Sequence, residues 1–199
     1  MQPQIPSPPP IPGLHHYAYR AKDAEETRHF YEDILGLPLY HIIQSDHVPS
    51  TGEYCPYTHF FFRLGDGSYI AFFDLGDDEA ALPSPNTPAW VNHIAFSVPT
   101  LADLTAMKTR LEAHGIDVIG VTDHHVFKSI YFFDPNGVRL ELSYQIASAQ
   151  AMQKESTFAR QRLNEWTTRK NQWRAERATN PSGADKLKPQ QNDRPELNH

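Results

Sequence analysis

The chain has 199 residues, of which 39% are hydrophobic, and its formal charge at pH 7 is −6. This length suits one soluble domain or two small units that share a core. Lys and Arg form no cluster before the C-terminal quarter, which argues against a nucleic-acid partner. The N-terminus lacks a secretory signal, no run reaches membrane-spanning length, and the single Cys55 cannot form an internal disulfide. We therefore expect a cytoplasmic protein with no membrane partner.

Composition divides the chain into four segments. The stretch "PSPNTP", at 83–88, predicts a linker inside the largest of them. The segments are a proline-rich extended arm (1–12), a folded domain (13–146) with modules at about 13–82 and 89–146, a C-terminal helix (147–177) and a polar, proline-containing tail that we expect to be disordered (178–199).

The two modules repeat the same pattern of elements. Each opens with a strand-like run that starts at a histidine, His16 in the first module and His93 in the second. A helical apolar periodicity follows and ends at Gly36 or Gly115, and three further strand-like runs complete the module. The sequence therefore predicts an α+β fold built from two β-α-β-β-β modules.

Local signals mark the helices. Asp23 and Thr100 are expected N-caps of the two module helices. The C-terminal segment carries one narrow apolar stripe, which predicts that it packs on the domain or on a second copy of the chain. The stripe consists of Met152, Ala159, Leu163, Trp166 and Trp173.

The last strand of the second module carries a carboxylate, and alternation decides which way that carboxylate faces. In "VRLELSY" the residues Val138, Leu140 and Leu142 form an apolar face, which leaves Glu141 on the opposite, polar face with its neighbours Arg139 and Ser143. By the same alternation His93 lies on a face with small residues. We expect these two polar faces to line a cavity.

His16, His93 and Glu141 are the predicted metal ligands. The repeat gives His16 the position in the first module that His93 has in the second. Two imidazoles and one carboxylate form the facial triad of non-haem Fe(II) enzymes, which leaves coordination positions open for substrate and dioxygen. A bound divalent cation would also compensate the charge of Glu141, whose burial in a strand is otherwise costly.

These features resemble the vicinal oxygen chelate superfamily, which includes glyoxalase I, bleomycin and fosfomycin resistance proteins, and type I extradiol ring-cleaving dioxygenases. The resemblance covers about residues 13–146. Within it, "TDHHVFKSIYFFDPNGVRLE" is similar to the extradiol dioxygenase signature. The positions that fill this signature are Thr122, His124, Ile130, Tyr131, Asp134, Pro135, Gly137 and Glu141.

The resemblance implies an architecture and a set of roles. The paired modules would form a half-open β-barrel around one metal site, with His16, His93 and Glu141 as iron ligands. His124 would hydrogen-bond the substrate or an intermediate, and Tyr131 would orient the bound phenolate and oxygen. The superfamily resemblance, together with the striped C-terminal helix, also implies a homodimer.

Three points stay open. His15 competes with His16 for the first ligand position, and alignment of "HYAYRA" with "HIAFSV" favours His16. A glyoxalase-like centre would take a fourth ligand at the position of Ala71, which cannot bind a metal. The acid-base histidine that the family usually has near Gly67 and Ser68 is missing. The candidates to replace it are His47, His59 and His125.

The expected function is an Fe(II)-dependent extradiol-type dioxygenase of aromatic compound catabolism. It would act on a catechol or related dihydroxylated aromatic, with dioxygen as co-substrate, and Mn(II) could replace iron. Tyr69, Phe73 and Phe133 are candidates for an apolar wall beside the substrate ring. The alternatives are a glyoxalase-like metal-dependent lyase, isomerase or epimerase, and a metal-free protein that binds a drug or another planar ligand.

Overall fold

The computed structural model describes residues 8–82 and 84–179. Within the proline-rich arm, residues 8–12 are exposed and form no helix or strand, and the rest of the arm lies outside the described residues. The predicted disordered tail lies outside them from position 180 onward. Its first two residues, Ala178 and Thr179, are helical, so the tail was predicted to begin too early. Among the described residues, no helix is both long and apolar enough to cross a membrane.

Within the described residues, the first compact unit contains 8–82 together with Asp134–Gly137. Its elements are β1 (His16–Ala21), α1 (Ala24–Arg28), a π-helical segment (His29–Ile34), β2 (Leu39–His47), β3 (Tyr54–Arg63) and β4 (Tyr69–Asp74). The four strands form one sheet in the order β1-β4-β3-β2, in which only β1 and β4 are parallel. The π-helical segment continues α1 and was not predicted by the sequence pattern.

Within the described residues, the second unit contains 84–133 and 138–179. Its elements are β5 (Ile94–Ser97), α2 (Leu101–Ala113), β6 (Ile119–Asp123), β7 (Phe127–Phe133), β8 (Arg139–Gln145) and α3 (Ala149–Thr179). The sheet has the order β5-β8-β7-β6, and again only the first pair is parallel.

The two units confirm the predicted α+β class, the repeated β-α-β-β-β pattern and the C-terminal helix. Both sheets are mixed and open, because each has two outer strands with a neighbour on one side only. Neither sheet closes into a barrel on itself.

Local chemistry explains where the module helices begin and end. The side chains of Asp23 and Thr100 each accept a hydrogen bond from the backbone N–H three residues later, at 2.6 Å and 3.1 Å. These bonds satisfy donors that a helix start leaves unpaired. Gly36 and Gly115 end the helices with φ of +77° and +76°, a conformation that favours glycine. The cap and stop predictions are confirmed.

The helix of each module covers the apolar face of its sheet. In the first unit the ring of Tyr31 lies 5.2 Å from that of Phe62 and 4.9 Å from that of Phe72. In the second unit α2 buries Leu104 and Leu111 and packs against β7 and β8. Because successive strand residues face opposite sides, this packing turns the polar residues of each sheet to the other face.

The C-terminal helix α3 keeps its apolar stripe in solvent. No residue of this helix is buried, and Trp166 is 52% exposed, with its ring 5.5 Å from that of Trp173. The homodimer stays a prediction, as does the linker at 83–88, of which Pro83 lies outside the described residues.

The turn Asp134–Gly137 packs in the first unit, although it connects two strands of the second. Tyr31 Oη donates a hydrogen bond to Asp134 Oδ2 at 2.9 Å, and Asn136 Nδ2 donates one to Thr27 Oγ1 at 3.1 Å. Burial, followed by the nearby charge of Asp134, raises the pKa of Tyr31 well above its ordinary value. The phenol therefore stays protonated and remains a donor.

We predict that Tyr31→Phe lowers the free energy of unfolding by about 1–3 kcal/mol, because Asp134 is 2% exposed and loses one of its donors. Urea denaturation measures this change. Tyr40→Phe is the control, since Tyr40 is 55% exposed and should unfold like the wild type. Equal stability of the Tyr31→Phe variant and the control would contradict the prediction.

Candidate metal centre

His93 and Glu141 lie side by side in the second unit. His93 immediately precedes β5, Glu141 is in the middle of β8, and the parallel pairing of these strands sets Ala95 opposite Glu141. His93 Nε2 is 3.0 Å from Glu141 Oε2. The side chain of Glu141 is 5% exposed and that of His93 is 35% exposed, so the pair opens to solvent on the histidine side. The structure thus brings two of the three predicted ligands together.

The two oxygens of Glu141 have different roles. Oε1 accepts hydrogen bonds from Ser129 Oγ at 2.5 Å, Ser143 Oγ at 2.7 Å and Tyr131 Oη at 3.2 Å, whereas Oε2 faces His93. Burial by itself would raise the pKa of Glu141, but the three hydroxyl donors and His93 outweigh it, and the pKa lies below its ordinary value. Glu141 is therefore a fixed carboxylate with one oxygen available to a cation.

The tautomer of His93 makes the pair suitable for a metal ion. His93 Nδ1 lies 2.9 Å from the Val91 carbonyl oxygen, which can only accept, so Nδ1 carries a proton. Nε2 is thus the nitrogen that faces Glu141 Oε2: in the protonated ring it donates to the carboxylate, and in the neutral ring its lone pair is available to a cation that the carboxylate also binds. Adjacent ligands with bonds of about 2.1 Å at right angles are roughly 3 Å apart, close to the observed spacing. These residues fit a divalent cation.

Tyr131 connects the pair to His124. Tyr131 Oη is 2.7 Å from His124 Nε2 as well as 3.2 Å from Glu141 Oε1. Burial, followed by the charge of Glu141, raises the pKa of Tyr131 above its ordinary value, which keeps the phenol protonated. His124 follows β6 and packs its ring against that of Phe127 at 4.7 Å. The two predicted catalytic residues therefore share a hydrogen bond beside the carboxylate.

His16 belongs to the first unit, as the first residue of β1. Its ring lies 5.7 Å from that of Phe61, and its Nδ1 is 2.7 Å from His15 Nδ1. Within residues 8–82 and 84–179, no group of three His, Cys, Asp or Glu side chains is placed to hold a metal ion. The three-residue ligand set therefore stays a prediction.

Strand register identifies Ala71 as the counterpart of Glu141. Ala71 pairs with Ala18 and Phe61 in the first sheet, just as Glu141 pairs with Ala95 and Tyr131 in the second. The first unit thus supplies no carboxylate at this position, as the sequence alignment predicted.

His59 is the buried histidine of the first unit. It occupies the register position of Ser129, stacks on Phe73 with ring centroids 3.7 Å apart, and places Nδ1 2.9 Å from the Phe72 carbonyl oxygen. Its ring is 6.1 Å from that of His16. Burial is the main cause that lowers the pKa of His59, so the ring is neutral at pH 7.

The other candidates to replace the missing acid-base histidine lie in different surroundings. His47 ends β2 with its ring 5.3 Å from that of Tyr54. His125 is exposed in the loop after β6 and has a φ of +70°.

The sequence analysis did not predict two contacts beside Glu141 and Tyr131. Ser129 provides the shortest hydrogen bond to Glu141, and Arg139 places its guanidinium carbon 4.5 Å from the centroid of the Tyr131 ring. Alternation could have suggested both, because Ser129 shares a face with Tyr131, and Arg139 shares one with Glu141. Both contacts form because β7 pairs with β8, and the alternation within a single strand does not reveal that pairing.

Comparison with known proteins gives a family match, two related proteins and a similar solved structure. Residues 13–142 match the family model of the Glyoxalase/Bleomycin resistance protein/Dioxygenase superfamily. Biphenyl-2,3-diol 1,2-dioxygenase 3 of Rhodococcus globerulus is 29% identical over 133 residues, which are 66% of this chain and 62% of that protein. A Bacillus subtilis (strain 168) protein described as a ring-cleaving dioxygenase, MhqA, is 27% identical over 60% of this chain and 35% of its own. The chain thus spans less than two thirds of these relatives.

A solved structure shows the same fold. The fosfomycin resistance protein FosX from Listeria monocytogenes, complexed with Mn(II) and sulfate, has a TM-score of 0.50 and 22% identity. The alignment covers 71% of this chain and 98% of FosX.

We predict that Ser129→Ala raises the pKa of Glu141 in metal-free protein, because fewer hydroxyl donors are then left to offset the effect of burial on that pKa. Carboxyl-carbon NMR titration after chelator treatment measures this pKa. In the wild type the folded pKa lies below the ordinary value of 4.5, so the carboxylate stabilises the fold above that pH and loses this contribution as pH falls through the folded pKa.

In Ser129→Ala the folded pKa should lie closer to 4.5, so the contribution should be smaller and its loss should be complete at a higher pH than in the wild type. Ser97→Ala is the control, since Ser97 is an exposed residue of β5 that is not bonded to Glu141. An unchanged Glu141 titration in the Ser129→Ala variant would show that the hydroxyls do not hold the carboxylate ionised.

Proposed function

This chain belongs to the Glyoxalase/Bleomycin resistance protein/Dioxygenase superfamily, and we propose that it is an Fe(II)-dependent extradiol-type dioxygenase. Its substrate would be a catechol or a related dihydroxylated aromatic. The observation that carries the proposal is the pair of His93 Nε2 and Glu141 Oε2, 3.0 Å apart, with the other carboxylate oxygen held by hydroxyl groups. The two relatives described as dioxygenases support the choice of chemistry.

His16, His93 and Glu141 would hold the metal in this proposal. Two imidazoles and one carboxylate suit Fe(II), and Mn(II) binds the same types of ligand. When bound, the metal supplies a Lewis acid that lowers the pKa of a coordinated phenol and holds the aromatic ring in place. Ala71 disfavours a glyoxalase-like centre, because alanine gives no fourth ligand.

The chain's own residues orient the substrate and handle its protons. Tyr131 Oη lies within hydrogen-bond distance of both His124 and Glu141, and its one proton can turn from Glu141 to an entering phenolate oxygen. His124 Nε2, one hydrogen bond from Tyr131, is the nitrogen placed to exchange a proton with the second hydroxyl of the substrate. Ser129 and Ser143 keep Glu141 from rotating while this happens.

We predict that His93→Ala and Glu141→Ala each weaken Fe(II) binding by at least ~100-fold, because each removes a ligand rather than a supporting hydrogen bond. Anaerobic reconstitution followed by metal analysis measures the loss. His114→Ala is the control, because His114 is exposed at the end of α2 and should leave iron binding unchanged.

The activity assay is oxygen uptake with a panel of catechols, together with detection of ring-cleaved product. The proposal expects catechol-dependent oxygen uptake by iron-loaded wild type and none by the two ligand variants. Metal-dependent turnover of a substrate without oxygen uptake would instead identify a glyoxalase-like lyase or isomerase. Ligand binding that is unchanged by removal of the metal would identify a metal-free binding protein.

We predict that His124→Asn and Tyr131→Phe lower kcat by about 10²–10⁴-fold and retain iron, because they remove proton transfer and orientation without removing a ligand. Steady-state oxygen uptake with parallel metal analysis separates the two effects. His125→Asn is the matched control, since asparagine tolerates the positive φ there. A kcat in His125→Asn that falls as far as in His124→Asn would reassign the acid-base role.

A further inference from the structure

Arg139 lies next to the candidate metal centre and has no acidic partner within residues 8–82 and 84–179. It is the first residue of β8, two positions before Glu141 and on the same face of the strand. Its guanidinium carbon is 4.5 Å from the centroid of the Tyr131 ring. By comparison, Arg20, Arg28 and Arg162 each pair with a carboxylate.

No hydrogen bond or ion pair of the Arg139 guanidinium is found among the described residues. Nε is buried and has no hydrogen-bond partner there. The residue as a whole is partly exposed. A partly buried guanidinium without an acceptor is unfavourable, and native proteins rarely keep one without a reason.

We propose that Arg139 binds a carboxylate of the substrate. This rests on the proposed function, since it assigns the charge of the aromatic substrate at that same centre. Guanidinium presents a planar fork of donors that matches a carboxylate with two parallel hydrogen bonds. The chain has a net charge of −6, so an anionic substrate needs a local cation of this kind.

The spacing of residues along β8 also favours one position of the carboxylate on the ring. Residues two apart on one strand are about 6.6–6.8 Å apart along its axis. That separation is close to the length of a benzene ring with a hydroxyl at one end and a carboxylate at the other. With the hydroxyls at His93 and Glu141, we therefore expect Arg139 to favour a carboxylate on the far side of the ring, as in 3,4-dihydroxybenzoate, over one adjacent to the hydroxyls, as in 2,3-dihydroxybenzoate.

Calorimetric titration under argon, on full-length protein supplied with Fe(II), tests the proposal. The probes are 3,4-dihydroxybenzoate, its uncharged methyl ester and 2,3-dihydroxybenzoate. We expect wild type to bind the 3,4-acid about 10–100-fold more tightly than the ester or the 2,3-acid. Arg139→Gln should reduce the acid-to-ester ratio to about one, and Arg139→Lys should retain part of it.

Arg169→Gln is the matched control. Arg169 also lies over an aromatic ring, 4.8 Å from the centroid of Trp173, but it does so on the exposed helix α3. This variant should keep the wild-type ratio. Equal binding of acid and ester by wild type, or an unchanged ratio in Arg139→Gln, overturns the inference.

Oxygen uptake separates this inference from the proposed function. If the protein takes up oxygen with catechols but binds the acid and the ester equally tightly, the dioxygenase proposal stands and the carboxylate site is wrong. If the protein consumes no oxygen but binds the acid more tightly than the ester, and does so only with Arg139 present, the carboxylate site stands and the dioxygenase proposal is wrong.

Discussion

The buried carboxylate of Glu141 is the constraint around which the second unit is arranged. A carboxylate in the middle of a strand that packs against a helix loses most of its hydration, and burial favours its neutral form. Three hydroxyl groups on Oε1 reverse that preference and keep the group ionised. Because all three donors occupy one oxygen, the other is free to face His93. The same hydrogen bonds therefore stabilise the charge and direct it.

The repeat of the two modules shows which residues of the first module correspond to Glu141 and its hydrogen-bond donors in the second. Both sheets have the same strand order and the same register, so each position in one has a counterpart in the other. The counterparts of Glu141 and Ser129 are Ala71 and His59. In the first unit His59 stacks on Phe73 at the register positions that Ser129 and Ser143 have in the second.

Sequence periodicity predicted those parts of the fold that depend on local physics. Strand alternation predicted the face on which Glu141 lies. The N-caps and the glycine stops predicted where the module helices begin and end, because each depends on residues a few positions apart. The π-helical segment was not predicted, since its extra residue per turn has no separate sequence signal.

The missed contacts depend on pairing between distant segments. Ser129 reaches Glu141, and Arg139 reaches Tyr131, only because β7 and β8 align in one register. Likewise, nothing in the turn Asp134–Gly137 itself indicates that Tyr31 and Thr27 will bind it. The identity of the metal is not specified by the ligand types, because imidazole and carboxylate accept both iron and manganese.

The most direct test of the central claim is X-ray absorption spectroscopy at the iron edge of anaerobically loaded protein. We expect two imidazole ligands in wild type, one in a His93→Ala sample saturated with excess Fe(II), and a first shell made only of nitrogen and oxygen. A wild-type spectrum without imidazole scattering, or one that His93→Ala leaves unchanged, would contradict it.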